Sequence, residues 1–311
     1  NALSETNSVI APLFTRTTKK QLELPPIERI PLPPISMSRN QAEAYRMLRV
    51  EAGKRFWTQE FEGSERVRAV GRQAATLLQI ASNPRLAYYK MKEDEAGTDF
   101  PEFLDVLRRA AEEEESNKFA QLEALVDQLL AKTGEKVVIW STFVGTIAEI
   151  ERRFARYGAL SIHGGIPVGS DEYIEFREAR VKRFNSDPKH RVMVANPAAG
   201  GEGISLHHAC HNAIYFDRNF NAAQFLQSVD RIHRLGLPED VVTRLWVFES
   251  AGSIDEVVST RLSEKIRAME TVLDDFGIEP IALDWDEEAE VNGAGLDSAD
   301  EAALMAHLLG G

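Results

Sequence analysis

Cysteine is almost missing from the chain: Cys210 is the only one in 311 residues. No internal disulfide can form, and the sequence suits a reducing compartment, the cytoplasm with its nucleoid in a prokaryote or the nucleus in a eukaryote. Long apolar runs are missing too. No stretch approaches 18 uncharged apolar residues, and the amino end NALSETNSVI has neither a basic region nor an apolar signal core. A membrane span, a secretory leader and a membrane partner are therefore not expected. There is no GxxxxGK[ST] phosphate loop, because Gly53-Lys54 falls in a helical stretch and Gly134-Glu135-Lys136 is followed by valine. The Asp-Glu pairs that begin at Asp171, Asp255 and Asp286 close no apolar strand, so none reads as a magnesium-holding acidic box. Nucleotide hydrolysis by this chain alone is not expected. A start at Asn1 rather than Met reads as a fragment or a processed product.

Basic residues stop at Arg267, beyond which there are 12 Asp or Glu and no Lys or Arg. The net charge of −13 owes most of its size to that tail, since the remainder holds 36 basic and 37 acidic residues. Residues 1–92 carry 15 basic against 8 acidic residues, and residues 93–135 carry 4 against 13. Local fields outrank the total, so a polyanion partner stays compatible with the composition.

Residues 19–35 hold five of the 13 prolines and read as an extended linker. Helical spacing follows over residues 38–61 (Ala44, Met47, Leu48) and 65–81 (Val70, Ala74, Leu77, Leu78), until Ser82-Asn83-Pro84 stops it. The acidic stretch 93–115 reads as a solvated excursion. From Ser116 helices alternate with short β-branched runs: helices over 117–132, 145–157 and 170–185, and strands over 137–140, 159–162, 191–195, 212–217 and 242–248. This predicts an α/β fold, a parallel sheet covered by helices on both faces, with ligands gathering at the carboxyl ends of the strands. A helix over 253–274 precedes the tail, in which Ser298 and Glu301 read as a capping box before AALMAHLL, one short amphipathic helix.

Two segments carry candidate chemistry. NPAAGGEGISL follows the strand RVMVA, and its Gly200, Gly201 and Gly203, with Glu202 between them, either bring backbone amides close to a phosphate or form a plain turn. In QFLQSVDRIHRLGL, helical spacing puts Gln227, Asp230, Arg231 and Arg234 on one face. That face is either a fork for phosphate oxygens or a solvated surface paired within itself. LHHACHN crowds His207, His208, Cys210 and His211 together, but structural zinc sites draw their ligands in pairs from separate segments, so no metal is assigned there.

Taken together and in order, these segments resemble the second RecA-like lobe of the Swi/Snf (sucrose non-fermenting) family of helicase superfamily two. LFTRTTKKQLELPP, MSRNQAEAYRML, LLQIASNPRLA and SNKFAQLEALVDQL resemble the family's connector and helices before motif IV. KVVIWSTF is similar to motif IV, AAGGEGISL to motif V, YFDRNFN to the Tyr-Asp-x-x-Trp-Asn element and QSVDRIHRLGL to motif VI, and GSIDEVVSTRLSEKIRAMETVLDD resembles the helix that braces the lobes. Asn83, Trp140, Thr142, Ser205, Asn219, Phe220 and Leu237 depart from the usual letters, and Pro197 stands where the family has a small hydroxyl residue that touches DNA.

The resemblance implies a duplex-DNA translocase whose ATP and Mg2+ are held mainly by an upstream RecA-like lobe of the same polypeptide. It implies that Arg231 and Arg234 act as arginine fingers positioned by Gln227 and Asp230, and that the loop of Gly200, Gly201, Glu202 and Gly203 lies at the nucleotide. It assigns DNA-backbone contacts to Ser141, Thr142, His163, Gly164 and Asn196, and to Lys54 and Arg55 on a basic helical protrusion. The expected layout is a linker over 1–35, the inserted protrusion over 36–115, the lobe over 116–250, a bracing helix over 251–275 and an acidic tail over 276–311. That tail would either compete for the DNA surface or dock a protein partner. The rival readings are a lobe of another superfamily-two helicase and a non-catalytic nucleic-acid-binding or partner-docking lobe.

Overall fold

The computed structural model describes residues 24–58, 63–93, 100–132, 134–199, 204–273 and 296–310. In chain order its elements are β1 (Ile27–Ile30), α1 (Arg39–Thr58), α2 (Gly63–Ser82), α3 (Pro84–Glu93), α4 (Pro101–Glu112) and α5 (Asn117–Leu130). Then come β2 (Val137–Trp140), α6 (Val144–Arg153), β3 (Leu160–Ile162), α7 (Arg177–Ser186), β4 (Val192–Ala195) and β5 (Asn212–Tyr215). The series ends with α8 (Ala222–Asp230), β6 (Thr243–Val247), α9 (Ile254–Leu273) and α10 (Ser298–Leu309). None of the described helices is long and apolar enough to cross a membrane.

The six strands form one parallel sheet in the order β1-β6-β5-β2-β4-β3. Side chains alternate across a strand, so each residue of β2 chooses a face. Val137 and Ile139 pack with Phe119, Leu122, Ile147 and Ile150 of α5 and α6, whereas Val138 and Trp140 pack with Phe184, Phe225 and Val229 of α7 and α8. Helices on both faces explain why these strands are apolar throughout. Register puts Trp140 beside both Ala195 and Tyr215. Ser141, Asn196 and Asp217 therefore leave the sheet along one edge.

A separate core joins α1 to α4 with α9 and α10 through Tyr45, Val70, Leu77, Phe103, Leu262 and Leu308. Here the structure corrects the solvated excursion expected over 93–115. Phe103, Val106, Leu107 and Ala110 of α4 are buried at helical spacing among the acids. Burying each of the larger three contributes roughly 1.5–3 kcal/mol, which outweighs surface charge pairs worth about 1 kcal/mol or less. The proline-rich stretch is corrected as well. Part of it, β1, pairs with β6 at the sheet edge, the position where flanking prolines cost no ladder bonds. The helix expected over 170–185 begins only at Arg177, because Pro167 and Gly169 open a turn in which a Cβ at Gly169 would meet the Phe176 ring at 2.4 Å.

The carboxyl-terminal helix also departs from the free acidic tail of the sequence reading. Its N-cap is Asp297 rather than Ser298, with Asp300 completing the capping box. Asp300 is fully buried and is held by Arg261 (2.8 Å) and by Lys265 of α9. A Cβ at Gly53 would lie 2.9 Å from the Leu308 carbonyl oxygen, so glycine there lets α10 settle against α1. At the same junction the Ile254 amide donates to the Tyr45 hydroxyl (2.7 Å), which sits 2.7 Å from His307 Nε2. Burial, helped by Arg49, holds His307 below its usual range, so the neutral ring accepts the Tyr45 proton.

The two layers are joined by a buried ion pair. Lys118 Nζ at the start of α5 lies 2.7 Å from Asp255 Oδ2 at the start of α9, with side-chain exposures of 1% and 4%. The same carboxylate accepts the Ser250 amide (2.9 Å), and the Ser250 hydroxyl donates to the Ala81 carbonyl at the end of α2 (2.8 Å). Lys118→Met leaves Asp255 charged and enclosed, which costs about 3–5 kcal/mol. Urea unfolding should show this loss, with part of it recovered by adding Asp255→Leu; strictly additive losses would mean that the pair is not coupled.

Candidate functional site

The carboxyl edge of the sheet is organised by a residue to which the sequence reading gave no role. Asp217 follows β5, is 1% exposed, and accepts the Ser141 hydroxyl through Oδ2 (2.7 Å) and the Thr142 amide through Oδ1 (2.6 Å). Burial nevertheless pushes its carboxyl above the ordinary range, since desolvation outweighs those two bonds. Asn196 continues the network: its amide group donates to the Thr142 carbonyl (2.9 Å) and its Oδ1 accepts the Ala198 amide (2.8 Å). The Asn196 backbone amide reaches the Ile162 carbonyl (2.9 Å) and so brings the end of β3 alongside, where Gly164 is exposed and His163 Nδ1 accepts the Gly165 amide (3.2 Å).

Of the residues expected at a DNA backbone, Ser141, Thr142, Asn196, His163 and Gly164 thus meet on one edge. Ser141 and Asn196 are enclosed there, at 0% and 5% exposure, and shape the edge from beneath. Lys54 is exposed on α1 in the helical layer, away from the strand ends, and the Arg55 side chain lies outside the described residues. An apolar cavity of about 310 Å³ separates the two layers, walled by Ala74, Leu78 and Leu86 on one side and by Thr142, Phe143 and Phe220 on the other.

Gly200, Gly201, Glu202 and Gly203 lie outside the described residues, but both ends of their loop are anchored. Arg177 Nη1 donates to the Ala199 carbonyl (2.9 Å) at one end. At the other, Arg231 Nη1 reaches the Ile204 carbonyl (3.4 Å) and Asn185 Nδ2 the Ser205 carbonyl (2.9 Å).

The shared helical face of Gln227, Asp230, Arg231 and Arg234 is corrected. α8 stops at Asp230, and residues 231–236 run on as turns ended by Gly236 at φ +101°. The cause lies in a distant segment: the Arg231 carbonyl is taken by the Leu206 amide (2.9 Å) instead of a residue four positions on, while Ile232 and His233 are buried. Arg231 therefore caps the helix against the glycine loop, and Arg234 projects into solvent on a turn. His233 Nε2 donates to the Pro25 carbonyl (2.7 Å).

The histidine-cysteine cluster is spent on local bonds. His207 Nδ1 meets the Ser205 hydroxyl (2.9 Å), the His211 ring bonds the His207 carbonyl (2.9 Å), and the Cys210 thiol donates to the Asn212 carbonyl (3.3 Å). Burial, with the neighbouring His208, Arg234 and His211, pushes His207 down to about 4, so it is neutral near pH 7. Burial pushes the fully enclosed Cys210 thiol up to about 12. Among the described residues no three His, Cys, Asp or Glu side chains stand together as a metal site. Asp217 could have been found as a carboxylate closing an apolar strand, NAIYFD. The bonds of Arg177 and His233 to distant carbonyls leave no trace in residue type.

Residues 117–236 match the helicase conserved C-terminal domain. The DNA repair and recombination protein RAD54 of Saccharomyces cerevisiae is 27% identical over 220 residues, 68% of this chain and 23% of that protein. Helicase SWR1 of Candida glabrata is 31% identical over 150 residues, 48% of this chain and 10% of that protein. The chain thus spans less than a quarter of the length of these curated relatives. Among solved structures, the C-terminal part of the Fun30 ATPase domain aligns with a TM-score of 0.61 at 19% identity, covering 92% of this chain and 97% of that one. The Sulfolobus solfataricus SWI2/SNF2 ATPase C-terminal domain aligns with a TM-score of 0.52 at 18% identity, covering 76% and 86%. At such identities these two structures establish the fold.

The parallel sheet and the matched segment together define a RecA-like fold that carries a helicase conserved C-terminal domain over residues 117–236. Its similarities among curated proteins lie with Swi/Snf-type relatives such as RAD54 and SWR1.

The raised pKa of Asp217 means that the native state holds its proton more tightly than the unfolded chain does. Its contribution therefore favours folding at acid pH and is lost as pH rises through the raised value. Asp217→Asn keeps the shape and removes that dependence. Urea titrations at about pH 4.5 and 7.5 should show the stability difference shifting towards the variant at the higher pH; a shift the other way, or none, would contradict the raised value.

Proposed function

We propose that this lobe is the arginine-donating half of an ATP-driven duplex-DNA translocase, working against an upstream RecA-like lobe of the same polypeptide that holds ATP and Mg2+. The observation that carries this reading is the segment of residues 231–236. It presents Arg234 to solvent while Arg231 is bonded at Ile204 to one end of the glycine loop, whose other end follows Asn196 of the edge where Thr142, His163 and Gly164 meet. A guanidinium brought across a cleft neutralises charge developing on the transferred phosphoryl group, an effect worth about 10³–10⁵ in rate. Gln227 and Asp230, in the last turn of α8, directly precede that segment and would help to position it. Gly200, Gly201, Glu202 and Gly203 would pass closure of the nucleotide site on to the DNA edge.

DNA contacts at the edge would come from Thr142, His163 and Gly164 and from backbone amides, with Ser141 and Asn196 supporting them. Such contacts position the protein without reading sequence. Lys54 and Arg55 would add a phosphate-facing helical surface whose affinity falls with salt. The name of RAD54, a DNA repair and recombination protein, supports work on DNA, and a location with DNA, nuclear or nucleoid, is proposed accordingly.

The test is ATP hydrolysis, with and without duplex DNA, by this chain and by the polypeptide extended through the upstream lobe. We expect activity only in the longer protein, with stimulation by DNA. In that protein Arg234→Ala should lower kcat at least about 10³-fold and leave DNA affinity within about threefold, a difference of less than 1 kcal/mol. Equal loss of hydrolysis and DNA binding would contradict the assignment, and no hydrolysis by either protein would favour a binding or docking lobe.

A further inference from the structure

We infer that His233 is a positioning residue that ties the proline-rich stretch to the arginine segment, so that displacement of the upstream lobe moves Arg231 and Arg234. The inference rests on the translocase reading above and adds to it a mechanical link between lobe movement and the arginines.

The link starts from one hydrogen bond across 208 positions of sequence. His233 Nε2 lies 2.7 Å from the Pro25 carbonyl oxygen, and the imidazole is 4% exposed. A carbonyl can only accept, so Nε2 carries the proton. On the Pro25 side, the chain is built to transmit motion. Pro25 and Pro26 have no backbone N–H, and their rings fix φ, so this stretch is stiff. Directly after it β1 locks to β6 in register, from Ile27 beside Thr243 to Ile30 beside Trp246. The His233 bond is therefore an attachment of this stretch to the lobe just upstream of the strand.

On the other side, His233 stands between Ile232, fully buried in the sheet core, and the exposed Arg234. Consecutive Cα atoms lie about 3.8 Å apart, so the arginine cannot keep its place if the histidine is pulled. Arg231 is held from the opposite side by the Leu206 amide and the Ile204 carbonyl. Beyond its backbone bonds to Ser228 and Val229 of α8, the segment is tied to the glycine loop and to the proline-rich stretch, and His233 makes the second tie.

The variants are His233→Phe, which fills the site without a donor, and His233→Gln, whose amide can still donate to Pro25. Both are made in the polypeptide that carries the upstream lobe, and kcat and KM for ATP are measured with and without duplex DNA. In His233→Phe the factor by which DNA raises kcat should shrink about tenfold or more, with KM for ATP within about threefold. His233→Gln should restore that factor to within about threefold of the parent protein. A DNA stimulation factor unchanged in His233→Phe would overturn the inference while leaving the translocase reading standing. So would equal loss in both variants, which would mark His233 as packing alone. A parent protein that hydrolyses no ATP would overturn the translocase reading and this inference with it.

Discussion

One ammonium group holds the two layers of this molecule in relation to each other. Lys118 reaches Asp255 from the first turn of the helix that opens the sheet domain, and Asp255 lies in the first turn of the helix that runs through the helical layer. A charge pair so far from solvent needs further partners, and here the carboxylate also takes the Ser250 amide while the ammonium lies 5.4 Å from the centre of the Phe216 ring. Phe216 directly precedes Asp217, so the pair that joins the layers also borders the chain that shapes the strand-end edge. The helical layer and the candidate site share one buried electrostatic foundation.

That foundation is followed by a second, midway along α9. Arg261 and Lys265 receive Asp300, and Tyr45 links His307 to the start of the same helix. α9 is therefore gripped by acids of its own at the beginning and serves as a cationic receptor further along. This division of labour explains why the carboxyl-terminal helix, acidic in its first turn, is seated rather than free: its acids meet fixed partners and also favour the helix N-terminus electrostatically.

The sheet was legible in the sequence because its physics is periodic. Runs such as VVIW and RVMVA, enclosed on both faces, have no reason to alternate, and helical spacing between them forces the crossover arrangement. What escaped was decided by partners far away in the chain. α4 carries enough acid to look solvated, yet Phe103, Val106, Leu107 and Ala110 find a core made by helices on either side of it in sequence. The end of α8 was hidden because helical spacing continues through Arg234, while the Arg231 carbonyl is claimed by Leu206, a residue 25 positions earlier. At the candidate site the residue types at the strand ends could be read directly, but Asp217, which binds two of them, was visible only as a carboxylate at the end of an apolar run. Motif resemblance named the residues of the edge, the buried Ser141 and Asn196 included, and left to the structure only the Asp217 that binds Ser141 and Thr142.

The solitary cysteine has a practical meaning for studies of motion. Cys210 is wholly enclosed, its thiol bonded to Asn212 and far from the thiolate form. The folded lobe is accordingly silent towards maleimides and other thiol reagents. A cysteine introduced on any exposed turn will be the sole reactive sulfur on this lobe, ready to carry a fluorophore or spin label with no native thiol to remove first.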